Sequence, residues 1–295
     1  MATVVSTGSN LFLELDGKEA GALRSAQPAS VRVDMVAREV GRELVVRRGV
    51  QVALGEMAAE AALPEPGPLL DWLQAVLAGK LDLHDGALLV GDANRKLQRR
   101  IGFRGARLSG LALTPLDARD GKQPVLLTLR WLAGQVDDQA GGGATLKSTA
   151  SRRKAPLASN FRISGLPFDG SGVLRVELPA LQVDWATSRV GELREPLREG
   201  RRRFGAAAVT VGARQAEAAR AWVHKQVADG LVDEADGLAL QVELLDPTLK
   251  KVLATITLGG CLLLGLDEDP IGTSSERPAG LVLRFDVASM ALAVA

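Results

Sequence analysis

Gly172-Val-Leu-Arg-Val-Glu-Leu-Pro-Ala180 restates Gly21-Ala-Leu-Arg-Ser-Ala-Gln-Pro-Ala29. After a one-residue slip, Leu181-Gln-Val-Asp184 restates Val31-Arg-Val-Asp34. Outward from this pair the echoes keep their order. Trp72-Leu73 answers to Trp222-Val223, Asp85-Gly86 to Asp236-Gly237, Pro124 to Pro278, and Leu129-Arg130-Trp131 to Leu283-Arg284-Phe285. A dipeptide match is common by chance, but a collinear series at an offset of about 150 residues marks a duplicated unit. The chain therefore divides into a first domain, 1–136, and a second, 160–295, with the same strand order expected in both. Between them residues 137–159 read as a flexible linker, because Gly, Ser and Thr replace any apolar period around Gly141-Gly-Gly143. The linker's basic run, Arg152-Arg-Lys154, fits a solvated surface better than a docking patch.

Within each unit the periodicity changes in the same order. Val31, Val33 and Met35 alternate with Arg32 and Asp34, the period of a half-buried strand, and Leu44–Val46 and Val50–Leu54 continue strand-like. After Pro64, Pro66 and Pro68 the apolar residues Leu69, Leu70, Trp72, Leu73, Val76 and Leu77 fall on one face of a helix that Gly79 ends. Ala87–Val90 and Leu97–Leu108 flank a turn at Gly91–Asn94, which predicts a hairpin, and Val125–Leu132 predicts a closing strand. In the second unit the strands are expected at Leu181–Trp185 and Ala207–Val211, and the helix at Gln215–Val227. A long hairpin follows, Leu238–Leu245 and Lys251–Leu264, with the last strand at Leu281–Val287. The fold class is mainly β: two tandem sandwiches or barrels, each with one flanking α-helix. Trp72 and Trp222 are the expected anchors of the helix faces.

Composition narrows the function. The 295 residues carry a net charge of +1, and aromatics make up 3% with no Tyr. Neither a basic nucleic-acid footprint nor a set of stacking rings is present, so no sequence-specific nucleic-acid partner is expected. The apolar run Leu253–Leu266 is too short to cross a bilayer as a helix, and the N-terminus lacks a signal-peptide pattern, so a cytoplasmic origin is expected. With two His and one Cys, a zinc site lacks ligands. His84 and His224 read as solvated, and Cys261 as a buried small hydrophobe. No Gly-x-Ser-x-Gly, phosphate loop or His-Glu-x-x-His occurs. The carboxylate cluster Asp267-Glu-Asp269 reads as a solvated loop. The chain is expected not to be an enzyme and to need no cofactor or metal. The densest basic patch, Arg201-Arg202-Arg203 with Arg194 and Arg198, is interleaved with Glu192, Glu195 and Glu199. It fits either a face laced with ion pairs or a subunit or lumen contact.

The first unit resembles the tail tube proteins of contractile phage tails and related contractile injection systems. The residues that carry the resemblance begin with Phe12-Leu-Glu-Leu-Asp-Gly17, Val46-Arg-Arg-Gly-Val50 and Asp71-Trp72-Leu73. Gly79-Lys80, Asp85-Gly86, Gly91-Asp92 and Leu129-Arg130-Trp131 follow in the same order and cover nearly all of the unit. The second unit departs from the pattern. Ala221 stands where the first has Asp71, Asp229-Gly230 replaces Gly-Lys, and Phe204-Gly205 answers Arg48-Gly49. The resemblance implies a structural protein without catalytic residues, assembled in a phage tail or phage-like particle. It implies six domains joined edge to edge around a lumen. With two domains per chain, that is a trimer with pseudo-six-fold symmetry, or alternatively a hexamer of two stacked rings. Partners would then be other copies of the chain, neighbouring tube rings, and sheath or baseplate and spike proteins, the chain serving in the inner tube or as a tube–baseplate adaptor. A soluble two-domain binding module without tube assembly is the alternative.

Overall fold

The computed structural model describes residues 10–40, 44–146, 155–187, 197–198, 201–228, 230, 237–268 and 280–295. Arg152–Lys154, Glu192, Arg194, Glu195, Glu199, Asp229, Asp236, Asp269, Pro270 and Pro278 lie outside them, as does the Arg198 side chain.

The first half runs β1 (Asn10–Leu15), β2 (Lys18–Gln27), β3 (Val31–Val40), β4 (Leu44–Leu54), β5 (Met57–Ala62), α1 (Pro68–Leu77), β6 (His84–Gly91), β7 (Leu97–Leu113), β8 (Leu116–Asp117), β9 (Leu126–Leu132) and β10 (Gln135–Ala140). The second runs β11 (Phe161–Ser164), β12 (Val173–Glu177), β13 (Leu181–Val183), β14 (Ala186–Thr187), β15 (Leu197–Arg198), β16 (Arg202–Phe204), β17 (Ala207–Val211), α2 (Ala213–Ala228), β18 (Leu238–Leu245), β19 (Val252–Glu268), β20 (Leu281–Asp286) and β21 (Ser289–Val294). The architecture is mainly β, with two barrel-like sheets and two helices, as the periodicity predicts.

The strand order repeats. In the first half β1–β6, β6–β7, β7–β9, β9–β5 and β5–β2 pair antiparallel, and β10 pairs with β7. In the second half β11–β18, β18–β19, β19–β20, β20–β17 and β17–β12 pair in the same sense, and β21 pairs with β19. Among the strands of these two series, one pairing differs. β1 joins β2 and closes the first barrel, whereas among the described residues β11 and β12 are not paired and the second is open on that side.

The long strands β7 and β19 each carry a bulge at matching positions. Leu108 faces Trp131 and Gly110 faces Arg130, leaving Ser109 unpaired. Leu263 faces Phe285 and Gly265 faces Arg284, leaving Leu264 unpaired. A bulge bends the strand there, so one strand serves two sheets. The hairpin turns also repeat their chemistry. Asp92 Oδ1 accepts from the amides of Asn94 and Lys96, and Asp246 Oδ1 from those of Lys250 and Lys251. Arg95 and Leu249 both take φ 60. The aspartate satisfies the turn amides that would otherwise need water.

Besides Asp267 and Glu268, which end β19 opposite Val282 and Leu281 rather than lie in a loop, three expectations change. Residues 137–140, read as the start of a linker, complete β10 against Arg99–Gly102, and Gly141, Gly143 and Leu146 continue the bonding with Gln98, Leu97 and Arg95. An edge strand is held by backbone bonds, so its side chains need no apolar period, and that is why the composition misread it. Second, Ala158 lies buried, and its N–H donates to Gln123 O while its carbonyl accepts from Asp117 N. Third, the strand at Val31–Met35 is not half-buried. β3 pairs only with β4, as a separate two-stranded sheet among the described residues.

One apolar core spans both halves, from Leu13 and Trp131 to Leu283 and Phe285. Cys261 sits in it, 1% exposed, and burial pushes its thiol pKa up, so it behaves as a small hydrophobe.

Candidate functional site

The site is a joint between sheets. β13 of the second half adds to the free edge of β7 in the first, with Leu181 opposite Leu111 and Gln182 opposite Gly110. β16 extends the same sheet, Leu181 opposite Phe204 and Val183 opposite Arg202. Apolar alternation drives this addition: Leu181 and Val183 are 1% and 4% exposed. Gly110 lies directly against the added strand: a Cβ there would stand 3.6 Å from Leu181 O, an ordinary contact. Trp185 then crosses the bulge. Its indole N–H donates to Leu108 O at 3.0 Å, and Arg107 lies over its ring at 5.3 Å. Burial pulls the Arg107 pKa down. A groove along the joint is lined by Glu56, Gly110, Arg130, Gln182, Asp184 and Trp185. Its carboxylates are bonded, Glu56 accepting from Ser109 Oγ and Asp184 pairing with Arg203.

A second contact ties the halves where β8 pairs with β12, Asp117 opposite Arg175. Arg119 forks onto the Asp117 carboxylate at 2.9 Å, and Arg175 lies 3.8 Å away. The Arg119 hydrogen bonds above all, then its charge and that of Arg175, hold Asp117 down to a pKa of about 2, from an ordinary value of 3.8. The folded value is depressed, so this stabilisation is complete above the ordinary value and is lost as pH falls through about 2. Asp117→Asn is therefore expected to destabilise the chain at neutral pH. Urea unfolding across pH should show the gap from wild type closing between about pH 4 and pH 2; a gap independent of pH would contradict the pairing.

Helix α1 forms the third contact. Pro68 opens it, a position where the missing N–H costs nothing. Gly79, at φ 91, ends it and leaves space for a guanidinium, because a Cβ there would stand 3.2 Å from Arg202 Nη2. Arg202 Nη1 donates to Val76 O at 3.0 Å and Leu77 O at 2.6 Å, a cation on the negative end of the helix. Gln74 Nε2 donates to Leu292 O of β21. Truncating Arg202 to Ala is expected to cost about 1.5–3 kcal/mol, the range for hydrogen bonds from a charged group. Thermal melting checks it, and an unchanged Tm would show that the cap contributes nothing.

Of the residues singled out in sequence, Trp72 is 2% exposed, its ring 5.3 Å from that of His84. His84 Nδ1 lies 2.6 Å from Asp16 Oδ2. Trp222 is half-buried at the margin of α2, 6.3 Å from Phe285, and the deeper positions there are Gln215, Ala216, Ala219 and Val223. Arg202 and Arg203 both bond within the chain, and Arg201 is exposed. Sequence reading overlooked Trp185, Asp117 and the paired glycines Gly110 and Gly265. The signal available for Trp185 was its place four residues beyond Leu181 in the restated strand.

Opposite in character is the hairpin of β3 and β4. Val31, Val33 and Met35 are 66%, 48% and 58% exposed, and Leu264 on β19 is 59% exposed. Among the described residues no group of three His, Cys, Asp or Glu is placed to hold a metal, and no helix is long and apolar enough to cross a membrane.

No family model matches the chain, and no curated protein matches it. Solved structures do. A cryo-EM structure of the anti-feeding prophage cap, described as a tube terminating cap, is similar over 50% of this chain and 97% of its own, at 10% identity and a TM-score of 0.44. A chain in the six-fold symmetrised cryo-EM structure of the anti-feeding prophage baseplate is similar over 48% of this chain and 98% of its own, at 16% identity and a TM-score of 0.40.

Proposed function

We propose that the chain is a structural component of a phage-like contractile tail or injection apparatus that assembles into a closed ring, in the inner tube or as a tube–baseplate adaptor. The observation that carries this is the β3–β4 hairpin. An isolated two-stranded hairpin is at best marginally stable in water, and this one turns three large apolar side chains outward. Such an edge is a template for another chain, and a ring satisfies every edge without leaving one to aggregate. The duplicated unit supports the same reading. Two tube-like domains per chain, joined edge to edge, put six in a ring of three chains, and head-to-tail contacts whose rotation closes give such rings. The resemblance of the first half to tail tube proteins favours six. The particle would assemble in the cytoplasm and present its faces to neighbouring rings or baseplate proteins.

Native mass measurement tests the reading. The expected species is about 93 kDa, three times the 31.0 kDa chain, with a central hole in electron micrographs. Six chains in two layers would replace the trimer by the stacked arrangement, and a monomer at every concentration would overturn assembly altogether.

A further inference from the structure

The joint inside the chain has a vacant counterpart on its surface. The donor side is read from the repeat: Leu181, Gln182, Val183 and Trp185 restate Val31, Arg32, Val33 and Met35. The acceptor side is read from pairing. Leu111 and Gly110 face Leu129 and Arg130, while Leu266 and Gly265 face Leu283 and Arg284, so Leu111 corresponds to Leu266 and Gly110 to Gly265. In the filled joint the donors Leu181 and Val183 are 1% and 4% exposed. Their counterparts Val31 and Val33 are 66% and 48% exposed. The acceptor Leu111 is 2% exposed, whereas Leu266 is only half-buried and its neighbour Leu264 is 59% exposed. A Cβ on Gly110 would meet the carbonyl of Leu181, whereas one on Gly265 would meet nothing within 4 Å. Among the described residues no strand takes the second edge of β19 at Gly265–Leu266, or the second edge of β3.

We infer that β3 of one chain adds to β19 of a second copy of the same chain, antiparallel, with Val31 opposite Leu266 and Arg32 opposite Gly265. The chain thus repeats between subunits the joint that β13 makes with β7 within it. The inference rests on the assembly reading above but commits to one surface and one register. Strand addition supplies main-chain bonds along two edges that lack them, and the alternating side chains set the register. Met35 then crosses the bulge at Leu264 and takes the place over Leu263 that Trp185 takes over Leu108. The occupant is another copy because the docking strand and its acceptor each match an element already seen paired in this chain. One chain thus offers one free donor and one free acceptor, which makes the contact head-to-tail.

Cysteine pairing tests the register. Residues directly opposite across an antiparallel pair lie within disulfide reach. The one native cysteine, Cys261, is buried, so background is low. Gln182→Cys with Gly110→Cys in one chain is the positive control and closes within the chain. Arg32→Cys and Gly265→Cys are then placed on separate chains and mixed under mild oxidation. The expected result is a covalent dimer of the two chains from the mixture and none from either alone, and none when Leu263→Cys replaces Gly265→Cys. Val31→Asp with Val33→Asp, both exposed, should leave the circular dichroism and melting unchanged and abolish the multimer. A multimer that survives this double change and yields no cross-link overturns the joint while leaving ring assembly by another surface intact. A wild-type chain that stays at 31.0 kDa throughout overturns both.

Discussion

Replacing Trp72 by alanine is expected to lower the unfolding free energy by about 3–5 kcal/mol, the range for deleting a fully buried large aromatic. Trp72 is 2% exposed and fills the space between α1 and the sheet beside Leu69, Leu73 and Val76, so its loss leaves a cavity that the helix cannot close alone. Among the described residues its indole N–H has no partner. Trp72→Phe therefore breaks no hydrogen bond seen here and keeps most of the ring volume, so it should cost less than Trp72→Ala. Trp222→Ala, on a half-buried ring, should cost about 1–2 kcal/mol. Urea unfolding of the three variants checks the order. Equal losses from Trp72→Ala and Trp222→Ala would mean that the two helices anchor their halves alike, contrary to the burial.

Leu181→Ala is expected to cost about 2–5 kcal/mol, and Val31→Ala at the restated position to change the isolated chain by less than about 0.5 kcal/mol. The chemistry is nearly the same; only the cover differs. Leu181 is 1% exposed against β7, and Val31 is 66% exposed on a hairpin with no third strand among the described residues. Leu181 also belongs to the core shared by both halves, so its loss should lower one cooperative transition rather than split it in two. The comparison is made on dilute chains by urea unfolding. A large loss from Val31→Ala in the monomer would show that β3 is already covered within the chain.

The helices and hairpins were legible because their signals are local. Leu69 to Leu77 carry a 3.6-residue period between a proline and a glycine, and the observed helix, Pro68–Leu77, follows it. The hairpin on Asp92 has alternation on both sides of a turn. The repeat told more than either, since the collinear echoes from Gly21 to Trp131 predict one strand order, and the barrel pairings repeat but for β1 with β2, while β3 and its counterpart β13 pair differently. The edges failed. Asp137–Ala140 carries no apolar period yet is strand, because β7 offers it bonding partners that no local pattern encodes. Val31-Arg-Val33 and Leu181-Gln-Val183 look alike, yet Val31 and Val33 are exposed while Leu181 and Val183 are core.

By itself, then, the sequence determined the mainly β class, the duplication, the two helices and the turn chemistry. Each depends on the period and conformational preference of neighbouring residues. Only the tertiary structure decided which copy of the restated strand joins the first barrel's sheet and is buried. It also decided that Arg202 caps α1 from the other half, and that Gly110 is covered while Gly265 is open. Those outcomes depend on which sheet edges meet in space. Edge pairing is made by backbone groups that every residue carries, so side-chain pattern alone leaves it open.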